Sequence, residues 1–205
     1  FNPQAKTARV LHDNPAAQLE QQLERYFPPG SDWLSLKIYA AQSTAEMVLL
    51  QQLQPFVQHC IGQQWCRSWF FIRYGDPDWH LRLRFYGEPA LLYGQLLPAL
   101  QLLLAPQLQA QLLHRIEVFT YQREVERYGG AVAMLLSEQI FRYDSELVLA
   151  GLQLISSQDE SVRWRLALLA VHAMLQAFGY DAAAKLALIS QLRTSFGAEF
   201  QEHAQ

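Results

Sequence analysis

The sequence predicts an α+β fold, with a sheet of β-α-β-β-α-β order in its first part and helices alone in its last part. Three observations predict it. Four short segments have strand composition, Leu-rich helical segments lie between them, and after Gly129-Gly130 the apolar residues recur at helical spacing. This element order is that of ferredoxin-like folds, and the helices that follow predict a C-terminal helical bundle.

The four predicted strands differ in how their apolar residues are arranged. The first alternates leucine and isoleucine with polar residues, the second is rich in aromatic residues, and the third alternates leucine with arginine. They cover residues 33–39, 69–74, 80–86 and 115–121. Because Gly75-Asp76-Pro77-Asp78 is too short for a crossover, the second and third strands are predicted to form an antiparallel hairpin.

Helices are predicted between the strands and throughout the last part of the chain. The first follows the capping residues Ser43-Thr44 with a kink or break at Pro55, and the second is interrupted at Pro98 and Pro106. The predicted helices cover residues 16–26, 43–62, 88–113, 131–154, 160–178 and 182–200. The resulting organisation is a lead-in (1–30), an α/β subdomain (31–128) and a helical subdomain (129–205), the last two forming one domain.

Composition excludes several classes of protein. The 205 residues are 51% hydrophobic and 17% charged, with a net charge of −3, which is globular and unlike a basic nucleic-acid-binding surface. Cys60 and Cys66 make neither a disulfide framework nor a zinc site, so we expect a reduced, cytoplasmic protein without a metal or cofactor. No apolar run reaches the ~20 residues of a membrane span. Because the chain begins at Phe1, we expect a piece of a longer protein.

A row of positive charge lies along the third strand. His80, Arg82 and Arg84 share one face, and the leucines between them suit the face that the two helices cover. The row would then form a cationic floor that the C-terminal helices partly roof, and Arg73 on the hairpin partner is predicted to join it. Guanidinium forks match carboxylates and phosphates. The equal alternative is either a solvated edge strand whose charges resist aggregation, or arginines paired with Glu117, Glu124 and Glu126.

Two further segments carry candidate groups. Residues 120–130 end in Gly129-Gly130, which predicts either a charged loop with internal ion pairs or an anion site at a helix N-terminus. In the following helix, Glu138 and Arg142 have the spacing of an ordinary i,i+4 pair. His80 is the histidine beside the arginines, and their positive charge would keep it neutral and able to accept a proton.

Three segments read together resemble a known family. Residues 69–85, 121–130 and 133–149 are similar to the C-terminal domain of class I lantibiotic dehydratases, which also occurs in thiopeptide-type bacteriocin biosynthesis proteins. Residues 29–39 resemble the start of that domain. The order and spacing match from about residue 28 to the end of the chain.

The resemblance implies an enzyme that acts on a ribosomally made precursor peptide. In this family a large domain glutamylates Ser or Thr with glutamyl-tRNA, and the C-terminal domain eliminates glutamate to give dehydroalanine or dehydrobutyrine. Arg82, Arg84 and Arg127 match the arginines associated with elimination. We assign substrate contacts to Arg73, Tyr121 and Glu124, and take His80 as the local candidate base. The implied partners are the leader and core of the precursor peptide and a fused or separate glutamylation domain, without direct nucleic-acid contact; a homodimer is left open.

The sequence departs from the family pattern in two ways. The glutamylation domain is absent, so only the second half of dehydration is expected here. The family also has a histidine in a His-Met-x-x-Asn-Arg-like stretch near its C-terminus, whereas this sequence ends at Gln205 without one. We therefore expect that the C-terminal end is missing, and the base stays open. Two alternatives are a stand-alone thiopeptide pyridine synthase, which joins two dehydroalanines and expels the leader, and a non-catalytic precursor-peptide-binding domain.

Overall fold

The computed structural model describes residues 22–155 and 160–202. Most of the helix predicted at residues 16–26 lies outside the described residues. Its last part is not helical, because Tyr26–Phe27 forms a short strand, β1. This strand pairs with Tyr121–Gln122 in a separate two-stranded sheet.

A four-stranded sheet forms the centre of the fold. Its strands are β2 (Trp33–Ala40), β3 (Ser68–Tyr74), β4 (His80–Tyr86) and β5 (Leu113–Val118). They lie in the order β3-β4-β2-β5, and every neighbouring pair is antiparallel. The strand predicted at 115–121 therefore starts earlier and ends at Val118. After that the chain leaves this sheet, and Tyr121–Gln122 becomes β6.

Helical segments connect β2 to β3 and β4 to β5. The first connection contains α1 (Gln42–Val48), a π-helical segment (Leu49–Leu53) and α2 (Gln54–Gly62). The second contains α3 (Pro89–Leu91), a π-helical segment (Leu92–Leu96) and α4 (Leu97–Gln109).

The prolines explain where these helices change their winding. Pro55 and Pro98 each lie two residues after the end of a π-helical segment, at the second position of α2 and of α4. A proline has no N–H for the bond to the residue four positions earlier, and a wider turn just before it accommodates the loss. Pro106, which was predicted to interrupt the second helix, lies inside α4 without ending it.

The helical connections cover one face of the sheet with a continuous apolar core. Leucine, isoleucine and phenylalanine side chains of β2 and β4 meet leucines of the helical segments, and all are buried. The central members are Leu34, Leu36, Ile38, Leu81, Leu83, Phe85, Leu49, Leu53, Leu92, Leu96, Leu100 and Leu104. Removal of this area from water is the main stabilisation of the sheet.

Two features of the sequence are explained by this core. The helical stretch Pro89–Gln109 is long and apolar enough to cross a membrane, but Leu92, Leu96, Leu100 and Leu104 of that stretch are buried against the sheet. No membrane span is therefore indicated in the part of the chain that is described.

Cys60 and Cys66 are free and buried, and burial raises the pKa of the Cys66 thiol to about 11. At neutral pH this thiol is protonated and unreactive.

The last part of the described chain is helical, which confirms the mixed α/β fold with a C-terminal helical region. It contains α5 (Ala131–Ile155), α6 (Glu160–Ala177) and α7 (Ala182–Glu202). The chain divides into two compact units, one ending at Ala150 and one beginning at Gly151. The first part of α5 thus belongs to the same unit as the sheet. Many large apolar side chains of α6 and α7 are exposed, among them Trp164, Leu168, Leu186, Ile189 and Phe196.

Candidate functional site

The face of the sheet away from the apolar core carries the arginine row. In the antiparallel register Arg82 lies opposite Lys37 and Ile72, and Arg84 lies opposite Ser35 and Phe70. The leucines between the arginines belong to the apolar core on the other face. The predicted division of β4 into a leucine face and an arginine face is therefore confirmed.

Arg73 does not join this row. Its register partner is Leu81, so its side chain projects to the face that α1 covers, where its terminal nitrogen lies 3.4 Å from a carboxylate oxygen of Glu46. The prediction was wrong because it ignored the pairing register: along β3 it is Ile72 and Tyr74 that share a face with Arg82 and His80.

Arg84 is a buried cation surrounded by aromatic rings. Its guanidinium carbon lies 4.3 Å from the ring centre of Tyr121 and 5.2 Å from that of Phe70. The side chain forms no ion pair within the described residues, and its Nε has no hydrogen-bond partner. Burial lowers the pKa of this guanidinium, because the charged form is poorly solvated there. The aromatic faces supply part of the missing solvation through cation–π contacts.

Arg82 is held in place by two neighbours. Its guanidinium carbon stacks 3.6 Å from the ring centre of Tyr74, and its Nε donates a hydrogen bond of 3.1 Å to Nε2 of His80. Within the described residues it has no carboxylate partner. The two terminal nitrogens of the fork are therefore the groups that Arg82 can offer to an anion.

His80 lies beneath the arginines and has no free ring nitrogen. Its Nδ1 lies 2.7 Å from the carbonyl oxygen of Asp78 and donates to it, since a carbonyl can only accept. Its Nε2 accepts the Nε proton of Arg82. The ring is buried and packs between Tyr39 and Tyr74. The one lone pair that a neutral imidazole can offer is thus already used, which argues against His80 as the local base.

An arginine cavity of about 160 Å³ opens above the row. Five of the seven residues predicted for the site line it, namely Arg82, Arg84, Tyr121, Glu124 and Arg127. The last two form an ion pair of 2.8 Å at the rim, where both side chains are more than half exposed. Aromatic side chains of Tyr74, Tyr128 and Phe141 complete the walls.

The two glycines that precede α5 do not offer their own N–H groups to an anion. Gly129 and Gly130 have φ angles of +88° and +101°, which favour glycine. Their N–H groups donate to the carbonyl oxygens of Glu126 and Val125 and so close the preceding turn. The glycines therefore shape the loop that presents Arg127, and their amides are not available to a ligand.

A buried network beside the arginine cavity was missed from the sequence. Arg123 donates from Nε and a terminal nitrogen to the two carboxylate oxygens of Glu138, at 2.7 and 2.8 Å. The hydroxyl of Tyr121 donates to the same carboxylate at 2.9 Å. Glu138 thus ties α5 to the strand that carries Tyr121. The predicted pair of Glu138 with Arg142 is wrong, because Arg142 pairs with Glu146 instead.

The alternation of residues could have revealed this network. Tyr121, Arg123 and Val125 are buried, whereas Gln122 and Glu124 between them are exposed. A period of two places Arg123 with the apolar positions. An arginine in that position indicates a buried partner, which Glu138, shortly after the apolar start of α5, supplies.

Three buried side-chain atoms lack a hydrogen-bond partner in the described part of the chain, and all lie on the arginine face. They are Arg84 Nε, Ser35 Oγ and Trp33 Nε1. Ser35 is the register partner of Arg84, and Trp33 that of Tyr86. Buried polar groups are rarely left unpaired, and these three are concentrated on the face that carries the arginine cavity. The described residues contain no group of three or more His, Cys, Asp or Glu side chains able to hold a metal ion.

The comparisons with known proteins identify the class to which this fold and site belong. The chain belongs to the lantibiotic biosynthesis dehydratase C-terminal family, whose model matches residues 33–205. The resemblance inferred from the sequence segments is therefore confirmed.

Relatives of this chain include two curated lantibiotic biosynthesis proteins. The subtilin biosynthesis protein SpaB of Bacillus subtilis is 30% identical over 182 residues, which are 87% of this chain and 18% of SpaB. The nisin biosynthesis protein NisB of Lactococcus lactis subsp. lactis is 33% identical over 138 residues, which are 67% of this chain and 13% of NisB. The chain thus spans less than a fifth of these relatives.

Two solved structures are also similar. The tRNA-dependent lantibiotic dehydratase MibB from Microbispora sp. 107891 matches with a TM-score of 0.57 and 32% identity, over 64% of this chain and 12% of MibB. TsrL matches with a TM-score of 0.50 and 24% identity, over 66% of this chain and 38% of TsrL. The TsrL match shows a similar fold only.

Removal of the Glu138 carboxylate should strongly destabilise the protein. Glu138→Ala leaves Arg123 as an unpaired buried charge, and we expect the free energy of unfolding to fall by about 3–5 kcal/mol. Urea denaturation followed by circular dichroism measures the change. The control is Glu126→Ala, which removes an exposed partner of Arg25 and should change little. Equal effects of the two substitutions would contradict the role given to Glu138.

Proposed function

We propose that this chain catalyses the elimination of glutamate from glutamylated Ser or Thr of a precursor peptide, giving dehydroalanine or dehydrobutyrine. The observation that carries the proposal is Arg84, a buried guanidinium without an ion-pair partner among the described residues, beside Arg82 in the arginine cavity. Membership of a dehydratase family supports an enzymatic role. Family membership does not specify the reaction or the substrate, and we propose both the lyase reaction and the peptide substrate.

The reaction needs a site that stabilises negative charge. A base removes the proton from Cα of the glutamylated residue, and the electron pair of that C–H bond forms the Cα=Cβ double bond. The bond from Cβ to the ester oxygen breaks, and glutamate leaves with its new carboxylate. Negative charge therefore grows on the peptide carbonyl and on the leaving oxygen. Fixed guanidinium donors in a poorly solvated cavity stabilise both more than they stabilise the neutral ester.

The residues of the cavity suit this chemistry in different ways. We assign the leaving carboxylate to Arg84 and Arg82, whose forks have no carboxylate partner in the described residues. Arg127 completes the clamp at the rim, where Glu124 orients it through their ion pair. Tyr121 supports Arg84 with its ring and is itself fixed by Glu138.

The role proposed for His80 is to position Arg82. His80 accepts a hydrogen bond from Nε of Arg82 only, so the two terminal nitrogens of that arginine remain available to a ligand. His80 is itself anchored by the Asp78 carbonyl, so the chain of contacts fixes the fork before substrate arrives. We therefore assign the base to a group other than His80.

The remaining parts of the proposal concern the setting of the reaction. The order β3-β4-β2-β5 with antiparallel neighbours supports a ferredoxin-like sheet. Its partner would be a fused or separate domain that glutamylates the peptide, in keeping with MibB, which is a tRNA-dependent lantibiotic dehydratase. The buried free thiols Cys60 and Cys66 fit the predicted cytoplasmic location.

Loss of the Arg84 guanidinium should abolish most of the elimination activity. Arg84→Met keeps the shape of the aliphatic stem but removes the charge, and we expect kcat for a synthetic glutamylated peptide to fall by about 10²–10³-fold. Mass spectrometry of the dehydrated product measures the rate. The matched control is Arg73→Met on the other face of the sheet, which should leave kcat unchanged. Unchanged elimination by Arg84→Met would contradict the assignment.

The same assay separates the proposed function from its two alternatives. A pyridine synthase would act on a peptide that already carries dehydroalanines and would leave the glutamylated peptide unchanged. A peptide-binding domain would bind both peptides without turnover. Either outcome with the unsubstituted chain would overturn the elimination proposal.

A double-mutant cycle tests the role of His80. If His80 acts only through Arg82, then His80→Phe lowers kcat in the unsubstituted protein but has no further effect in an Arg82→Met background. His80→Gln, which retains a hydrogen-bond acceptor, should keep more activity than His80→Phe. A base would instead give a large loss in both backgrounds. Thermal unfolding of each variant separates the loss of positioning from the loss of fold.

A further inference from the structure

A second cavity of about 410 Å³ lies on the same side of the sheet as the arginine cavity. Its lining includes Trp33, Arg67, Tyr86, Gln139 and Arg142. None of the residues that line it also lines the arginine cavity. The role proposed for Arg82 and Arg84 does not account for it.

The second cavity is lined by arginines and by a buried indole whose N–H has no partner. Trp33 is buried, and its Nε1, which can only donate, has no partner. Arg67 forms no ion pair within the described residues, whereas Arg142 donates from Nε to Glu146 and from a terminal nitrogen to the carbonyl oxygen of Arg67. The carboxylate of Glu138 also lines the cavity, but both its oxygens already accept from Arg123.

The surroundings of these donors favour a carboxylate as the ligand. Arg67 gives the cavity a positive charge, since Arg123 is paired with Glu138 and Arg142 with Glu146. Aromatic rings of Trp33 and Tyr86 form an apolar wall that strengthens charge–charge contacts by excluding water. A neutral carbonyl could accept the hydrogen bond of the Trp33 indole, but it would not neutralise the positive charge of the cavity.

The position of the cavity relates it to the proposed reaction. Tyr86 follows Arg84 by two residues on the same face of β4, a separation of about 6.7 Å along the strand. The buried network of Tyr121, Glu138 and Arg123 joins the two cavities. A peptide with one residue in the arginine cavity therefore has its neighbouring residues within reach of the second.

We propose that the second cavity binds an acidic side chain of the precursor peptide that flanks the residue undergoing elimination. This inference rests on the proposed function for its substrate, but it can be tested by binding alone. Trp33 donates to the flanking carboxylate, and Arg67 neutralises its charge. The cavity thereby selects which glutamylated residue enters the arginine cavity.

The test compares two peptides that differ in one flanking residue, Glu or Gln, with glutamate attached to the reacting residue through a non-eliminating amide. Anisotropy of a fluorescent label measures Kd for the 205-residue chain. Because the sequence position of the contact is not fixed in advance, the substitution is placed in turn at each of the three residues on either side. We expect at least one position where Glu binds about tenfold more tightly than Gln.

Charge reversal at Arg67 should remove this preference. Arg67→Glu is expected to abolish the tenfold difference between the two peptides, and the control Arg165→Glu, an exposed arginine of α6, should retain it. Trp33→Phe, which removes only the indole donor, should reduce it. In the elimination assay Arg67→Glu should raise KM for the acidic peptide with kcat unchanged, and leave a minimal substrate without flanking residues unaffected.

The outcomes distinguish failure of this inference from failure of the proposed function. Equal Kd values for Glu and Gln at every position, or a preference that Arg67→Glu leaves intact, would overturn the second site. Free glutamate gives a further check. If it removes the preference for the Glu peptide equally in Arg67→Glu and in the unsubstituted chain, then the arginine cavity causes that preference, and the inference is also overturned. Absence of elimination together with an Arg67-dependent preference would refute the reaction and support the site.

Discussion

The Arg84 guanidinium, buried between aromatic rings without a carboxylate partner in the described structure, is the constraint around which the site is built. A charge in such a place opposes folding, because water solvates it better than the protein does. The apolar core on the other face of the sheet supplies stability that offsets this cost. The rings of Tyr121 and Phe70 reduce it through cation–π contacts. The arrangement leaves the positive charge available to a bound anion.

The other arginines of the unit that contains the sheet differ from Arg84. Arg123 has a bidentate carboxylate partner, and Arg73, Arg115 and Arg127 each pair with a glutamate. The chain therefore pairs these arginines with carboxylates, including Arg127 at the rim of the arginine cavity. Arg82 and Arg84 lie side by side on one face of β4 and are not neutralised in this way. Of the two explanations considered for the row, solvated or paired charge is the less consistent with a side chain that is 8% exposed and unpaired.

Parts of the site follow from local sequence periodicity, and these were predicted correctly. Alternation along β4 places Arg82 and Arg84 on one face and the leucines on the other. Arg73 was misplaced because its face depends on the pairing register between β3 and β4, which is set by the turn and not by either strand alone. The roles of individual side chains were harder still. The hydrogen bond that occupies His80 depends on the side-chain conformation of Arg82, which no sequence pattern encodes.

Longer-range contacts account for the rest of what the sequence did not reveal. Pairing of Tyr26–Phe27 with Tyr121–Gln122 brings together segments almost a hundred residues apart, and two-residue strands carry no periodic pattern. Glu138 had an obvious neighbour one helical turn away in Arg142, yet its partner is Arg123. A local pair is the simplest expectation from spacing, but burial beside Tyr121 favours the bidentate contact that satisfies both carboxylate oxygens.

The most direct measurement of the central claim is the stability of Arg84→Met with and without glutamate. If Arg84 is kept charged and unpaired for an anion, the variant without ligand should be at least as stable as the unsubstituted chain, because it removes a buried charge. Glutamate should then stabilise the unsubstituted chain, by about 2.7 kcal/mol at a concentration one hundred times its Kd, and leave Arg84→Met unchanged. A variant that is strongly destabilised without ligand, or that glutamate stabilises as much as it does the unsubstituted chain, would contradict the account.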